Sequence, residues 1–288
     1  MAPIILIGFN RPKLIKKQLE ILSELEVHNL FISIDGPRNQ EDLVKINEIK
    51  IIIESFKSNF NNLSVNFNKI NLGCKMAIET ALDSFFSQND YGIIIEDDCL
   101  PNKSFLDFCS LYLTNFQENS NIGSITGSKF GLEFNEHIFL SNISYIWGWA
   151  TWSKNWIDYR KNYQRVFSNS NVFTIDKFNF LTKRRFRNNA LRSLNNKIDT
   201  WDYPWIYYCM LMNHYCIVPS HNLIQNVGFG PDSTHTSENR SELSPNVYNI
   251  KQKLKIDLKH NKSYDRFIVN DILRFKFDIY DKIKKSFT

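Results

Sequence analysis

The chain has 288 residues, enough for one large α/β domain or two ordinary ones, and its 43% hydrophobic and 23% charged composition is that of a globular protein. A net charge of +5 suits anionic partners such as nucleotides, but it is too mild and too scattered to indicate nucleic acid. Five cysteines without a CxxC pair argue against a disulfide scaffold or zinc site and for a reducing compartment, and no apolar run approaches the roughly 20 residues that span a bilayer.

The N-terminus lacks the basic start of a signal peptide and runs directly into strand-like sequence, Pro3 to Phe9, which ends at Asn10-Arg11-Pro12. Leu14 to Leu25 has helical spacing, with Leu14, Ile15, Leu19, Leu22 and Leu25 apolar against Lys16, Lys17 and Glu20. Leu30 to Ile34 is a short strand stopped by Asp35-Gly36-Pro37. Asp42 to Phe56 reads as a helix, Leu63 to Phe67 as a strand, Lys75 to Phe86 as a helix and Tyr91 to Ile95 as a strand. Phe105 to Phe116 is the next helix and Ile122 to Thr126 a further strand. This alternation predicts an α/β fold, a mostly parallel sheet flanked by helices. The second half is less regular: Tyr145 to Trp156 carries four tryptophans, Thr200 to Trp205 two more, and Gly228 to Thr236 is a loop bearing glycine, hydroxyls and His235.

In a parallel sheet ligands bind beyond the carboxyl ends of the strands. The residues predicted to emerge there are Asn10-Arg11, Asp35 and three consecutive acids, Glu96-Asp97-Asp98. Three like charges after a buried strand oppose one another unless a cation or hydrogen-bond donors offset them. Mg²⁺ or Mn²⁺ suits such a cluster, because these ions take one or two carboxylates and complete their shell with water and substrate phosphates. No G-x-G-x-x-G follows the first strand and no P-loop motif occurs. Asp202, between Trp201 and Tyr203, lies in an aromatic setting that would raise a carboxyl towards a general base's working range, although the same residues fit a helix start. The tryptophans read mostly as core, with Trp149 and Trp201 as candidates for stacking on a sugar ring. The basic, aromatic tail from Leu273 to Phe287 is either a solvated helix face or a contact for an anionic membrane.

From Pro3 to Thr236 the chain resembles GT-A glycosyltransferases, specifically the inverting, metal-dependent N-acetylglucosaminyltransferase I family and bacterial glycosyltransferase-family-2-like proteins. The resemblance implies a GT-A (Rossmann-like) fold with an acceptor-side extension. It implies that Arg11 contacts the nucleotide, that Asp35 binds uracil, and that Glu96-Asp97-Asp98 is the E-D-D form of the DXD motif. Asp98 would then hold the metal while Asp97 and Glu96 serve the ribose and nucleotide. Trp201-Asp202 is similar to a Trp-Asp pair whose aspartate is the catalytic base. Ser233 and His235 fall in the position of a loop that closes over the diphosphate, and Lys75, in Asn71-Leu72-Gly73-Cys74-Lys75, resembles the bacterial relatives and is placed with the nucleotide-sugar contacts.

The expected organisation is a catalytic domain over 1–236, divided into a nucleotide-sugar half (1–128) and an acceptor half (129–236), with a peripheral extension over 237–288. The expected activity is inverting transfer of a sugar from a UDP-sugar, with Mn²⁺ or Mg²⁺, to a glycan or lipid-linked acceptor in surface polysaccharide biosynthesis. The expected location is cytoplasmic, with peripheral contact at the inner membrane face. Two other classes stay open, a sugar nucleotidyltransferase and a non-catalytic nucleotide- or carbohydrate-binding module.

Overall fold

The structure is a computed structural model, and it describes residues 1–131, 137–169, 178–228, 246–251 and 253–273. Its strands are β1 (Ile4–Gly8), β2 (Asn29–Ile34), β3 (Asn62–Phe67), β4 (Tyr91–Glu96), β5 (Cys99–Pro101), β6 (Ile122–Thr126), β7 (Phe139–Ser141), β8 (Trp149–Trp152), β9 (Tyr215–Val218) and β10 (Ile224–Asn226). The helices are α1 (Pro12–Glu24), α2 (Gln40–Ser55), α3 (Gly73–Phe86), α4 (Lys103–Asn115), α5 (Ser153–Asn169), α6 (Phe180–Leu194), α7 (Asp202–Leu211) and α8 (Lys262–Phe267).

Eight strands form one sheet in the order β3-β2-β1-β4-β8-β6-β9-β7, and β5 pairs separately with β10. The four strands from β3 to β4 are parallel, as the alternating first half requires. The sheet is mixed beyond that point, because β8 runs antiparallel between β4 and β6, and β7 runs antiparallel to β9. The four residues of β8 are all buried, so part of the tryptophan-rich segment is a central strand of the sheet.

Both faces of the sheet are covered, which accounts for the unbroken apolar runs. Ile4 and Leu6 of β1 enter one core with Ile93 and Ile95 of β4. Ile5 and Ile7 point to the opposite core with Ile94, the period of two expected of a strand. Side-chain caps define several helix starts: Asn39 accepts from the Asp42 amide at 2.9 Å, and Asn102 from the Phe105 amide at 2.8 Å.

Part of the segment expected to be peripheral is instead built into the second core. Tyr264 is fully buried, and Asp265 accepts from Ser141 Oγ at 2.6 Å and from Asn142 Nδ2 at 2.8 Å. These contacts join α8 to β7, a pairing between segments more than a hundred residues apart that no local pattern announces. The basic tail 274–288 lies outside the described residues. No helix among the described residues is long and apolar enough to cross a membrane.

Candidate functional site

The main-chain ladder of β1 continues past the strand ends and places two acids at the same rim. The Asp35 amide donates to Gly8 O and the Asp97 amide to Ile7 O, each at 3.0 Å. The convergence of Arg11, Asp35 and the acidic triplet, expected from strand order alone, is therefore present.

Arg11 grips the two aspartates of the triplet. Its Nε donates to Asp97 Oδ2 at 3.0 Å, one terminal nitrogen pairs with Asp97 Oδ1, and the other reaches Asp98 Oδ2 at 3.1 Å. Two parallel bonds to one carboxylate give this pair a fixed geometry. Burial pushes the Asp97 carboxyl up to about 7, against the opposing pull of Arg11. Glu96 is also raised, first by burial and then by Asp98 and Asp97, with Asp202 adding to the effect. Asp202 therefore lies within electrostatic reach of the triplet although 106 residues of sequence number separate it from Glu96 (202 − 96).

Gln18 holds the main chain of this turn from beneath. Its Nε2 donates to the carbonyls of Glu96 at 3.0 Å and Cys99 at 2.8 Å, with Asp97 O at 3.3 Å. Sequence reasoning left Gln18 out, although a signal existed: it stands on the apolar stripe of α1, between Ile15 and Leu22, and is fully buried.

Asp35 is buried and surrounded by donors. Its carboxylate accepts from the amides of Gly36 (2.8 Å), Leu72 (3.1 Å) and Gly73 (3.2 Å), and from Nδ2 of Asn68 (3.1 Å) and Asn71 (2.9 Å). A Cβ on Gly36 would stand 2.2 Å from the Ile70 carbonyl, so only glycine allows this close approach of the two loops. The residue expected to bind uracil thus anchors the loop that enters α3.

The next two amides of α3 are taken by a second acid that sequence reasoning missed. Asp199 accepts from the Cys74 amide at 2.8 Å and the Lys75 amide at 2.9 Å. Gly73 makes this possible, with φ at +78° and a site where a Cβ would lie 2.7 Å from Asp199 Oδ2. Negative charge at a helix N-terminus is favourable. Lys75, expected among the nucleotide-sugar contacts, is buried and donates from Nζ to Ser193 O at 3.2 Å, linking α3 to α6. Asp202 follows three residues after Asp199; its Oδ1 accepts from the Thr200 hydroxyl and from the Tyr203 amide at 2.7 Å. Burial, then the charges of Glu96, Asp199, Asp202 and Asp35, push the Cys74 thiol far up, which locates all four acids around the start of α3 and leaves Cys74 no role as a thiolate.

The β5–β10 pair brings the later loop to the same place. Val227 N donates to Asp98 O at 2.8 Å, and a Cβ on Gly228 would lie 2.4 Å from Asp98 Oδ2. The loop predicted to cover a diphosphate is therefore rooted against the expected metal ligand. Ser233 and His235 lie outside the described residues.

The tryptophan assignment is corrected. Trp149 and Trp201 are 0% and 2% exposed and stack on each other, with centroids 5.4 Å apart and planes 25° apart. Neither presents an open ring face to a sugar; both build the second core with Trp156 and Trp205.

Among the described residues no three His, Cys, Asp or Glu side chains form a ready cage. Mg²⁺ and Mn²⁺ do not require one, since one or two carboxylates suffice when phosphate supplies the rest. Arg11 pairs with Asp97 and Asp98, and of the triplet Glu96 and Asp98 are partly exposed, Asp98 lying beside the bare Cα of Gly228. Asp98 and the triplet beside it offer the oxygen ligands that a hard cation takes.

No family profile and no curated protein matches the sequence. Among solved structures, S. aureus TarS is 12% identical over 78% of this chain and 36% of that chain, with a TM-score of 0.48. The mannosyltransferase PcManGT from Pyrobaculum calidifontis, in complex with GDP-Man and Mn²⁺, is 9% identical over 73% of this chain and 69% of that one, with a TM-score of 0.40. A cytidylyltransferase from Leptospira borgpetersenii is 14% identical over 55% and 63%, with a TM-score of 0.36. The chain spans about a third of the length of TarS. At such distances function rests on the chain's own residues.

Proposed function

We propose that this protein is a metal-dependent glycosyltransferase of GT-A type, moving a sugar from a nucleoside-diphosphate donor, a UDP-sugar, to an acceptor hydroxyl with inversion. The carrying observation is the meeting of Arg11, Glu96, Asp97 and Asp98 with the root of the 228–236 loop at one sheet rim.

In this reading Arg11 fixes Asp97 and Asp98 so that their carboxylates are set before substrate arrives. Asp98 would hold Mn²⁺ or Mg²⁺, which when bound would neutralise the diphosphate leaving group. Asp35 shapes the base pocket by fixing the Leu72–Gly73 loop rather than by spending both its oxygens on the base. Asp202 accepts the proton of the acceptor hydroxyl, whose oxygen forms the bond to the anomeric carbon as the bond to the diphosphate breaks. Ser233 and His235 serve the diphosphate from the loop rooted at Gly228.

Calorimetric titration of UDP, with Mn²⁺ and then with EDTA, tests the site. Binding that requires both the metal and Asp98 is expected, and Asp98→Asn should lose it while melting within a few degrees of the parent. UDP binding of equal strength with and without metal would overturn the metal assignment. Metal-dependent UDP binding without transfer or hydrolysis of any UDP-sugar would leave a binding module.

A further inference from the structure

The parallel half of the sheet has a second end, opposite the acidic rim. There Asn29 and Asn62 open β2 and β3 as a cross-strand pair, and Phe31 pairs with Ser64 two residues further along the same face. Between these strand ends and Asn89, just beyond α3, lies an open groove of about 520 Å³, a size typical of ligand sites. Asn61 completes its amide-rich wall.

Strand-forming tendency does not account for these residues, since asparagine is disfavoured in strands and yet opens both β2 and β3. The amides are set in place before any ligand arrives. Asn62 Nδ2 donates to Asn29 Oδ1 at 2.7 Å, and Asn89 Nδ2 donates to Phe85 O at 2.8 Å. Each bond fixes a side chain and uses one of its polar groups, which leaves the Asn29 amino group and the Asn62 and Asn89 oxygens to meet a ligand. Phe31 is half-buried and held edge-on to Phe85 of α3, with centroids 5.1 Å apart and planes at 81°, so its ring is a fixed part of the wall.

We propose that this groove binds a neutral oligosaccharide, apart from the site at the rim. Among the described residues its lining holds no Lys, Arg, Asp, Glu or His, so a phosphate finds no cation there and a basic peptide no carboxylate. It offers amide donors and acceptors side by side, the Ser64 hydroxyl and a phenyl ring. The neighbouring hydroxyls of a pyranose donate and accept at once, as an amide does, and the C–H face of the same sugar ring packs on an aromatic side chain. Strands β2 and β3 have six residues each, so at about 3.3 Å per residue the groove and the rim stand roughly 20 Å apart. A glycan held in the groove therefore leaves the rim open. The inference stands whether or not the proposed transfer reaction is correct, since it concerns binding alone.

The test is saturation-transfer NMR and calorimetry on the full chain with maltotriose, cellotriose, mannotriose and triacetylchitotriose, and with trigalacturonate as an anionic counterpart. Binding of at least one neutral trisaccharide at millimolar concentration is expected, undisturbed by UDP with Mn²⁺ and tighter than binding of trigalacturonate. Asn62→Ala and Ser64→Ala change exposed side chains and should leave stability nearly unaltered, while each weakens sugar binding roughly three- to tenfold, the range of one hydrogen bond. Hydrogen exchange on the unaltered chain gives a reading that needs no variant: the bound trisaccharide should protect 29–31 and 61–64. No binding by any of the four neutral sugars, displacement of the sugar by UDP, equal binding by both variants, or protection confined to 71–75 and 199–203 would each overturn the inference. Protection of 61–64 that needs no sugar and rises with protein concentration would reassign the groove to a second copy of the chain.

Discussion

Replacing Asp35 separates an anchor from a base contact. Asp35→Ala removes one acceptor shared by five donors, three of them main-chain amides that cannot turn away without moving the chain. Each buried donor left without a partner costs about 1–3 kcal/mol. Because the Leu72–Gly73 loop is only half-buried, water recovers part of this, and a loss of about 2–5 kcal/mol is expected. In a chain of this length that lowers Tm by roughly 4–10 °C. Asp35→Asn keeps the shape but turns an NH₂ towards donors, so it should lose at least half as much. Urea and thermal unfolding measure the stability, and calorimetry with UDP measures the site. A Tm within about 1 °C of the parent, together with weakened UDP binding, would refute the anchoring argument and leave Asp35 as a direct base contact.

Asp202→Asn should lower kcat by roughly 10²–10⁴ with UDP binding unchanged, because the amide oxygen still accepts from the Tyr203 amide while the proton acceptor is lost. Trp201→Ala should cost about 3–5 kcal/mol in unfolding experiments, as the loss of a buried stacked ring; a raised KM for acceptor without loss of stability would restore a sugar-stacking role. The Arg38 guanidinium, with Asn10, holds the Asp42 carboxyl down at about 2 against the desolvation that opposes it, below the ordinary 3.8. Its stabilising contribution is therefore full above pH 4 and lost as pH falls through 4 towards 2, and Tm measured over that window should fall less steeply in Arg38→Ala.

The first half of the chain was legible because its signals are local. Apolar runs such as Ile4 to Ile7 and Ile93 to Ile95 fit only strands covered on both faces, and the intervening helical periods force parallel neighbours. The rim followed from that order, so Arg11 and the Glu96-Asp97-Asp98 triplet could be named together. What each side chain does at the rim was not legible. Asp35 and Lys75 could be read as ligand contacts until the donors and acceptors around them were seen. Trp149 and Trp201 could be a platform until burial closed both rings into the core.

The sequence by itself determined the alternation of elements in the first half and the acids at the strand end, since each is a property of neighbouring residues. Only the tertiary structure decided that β8 enters the sheet backwards, that Asp199 caps a helix begun 126 positions earlier (199 − 73), and that Gly228 lies against Asp98. Those contacts join segments whose own patterns are silent about each other. They form because burying both faces of one sheet leaves few ways to place the connecting loops, and the buried amides and carboxylates then take the partners that this packing brings within reach.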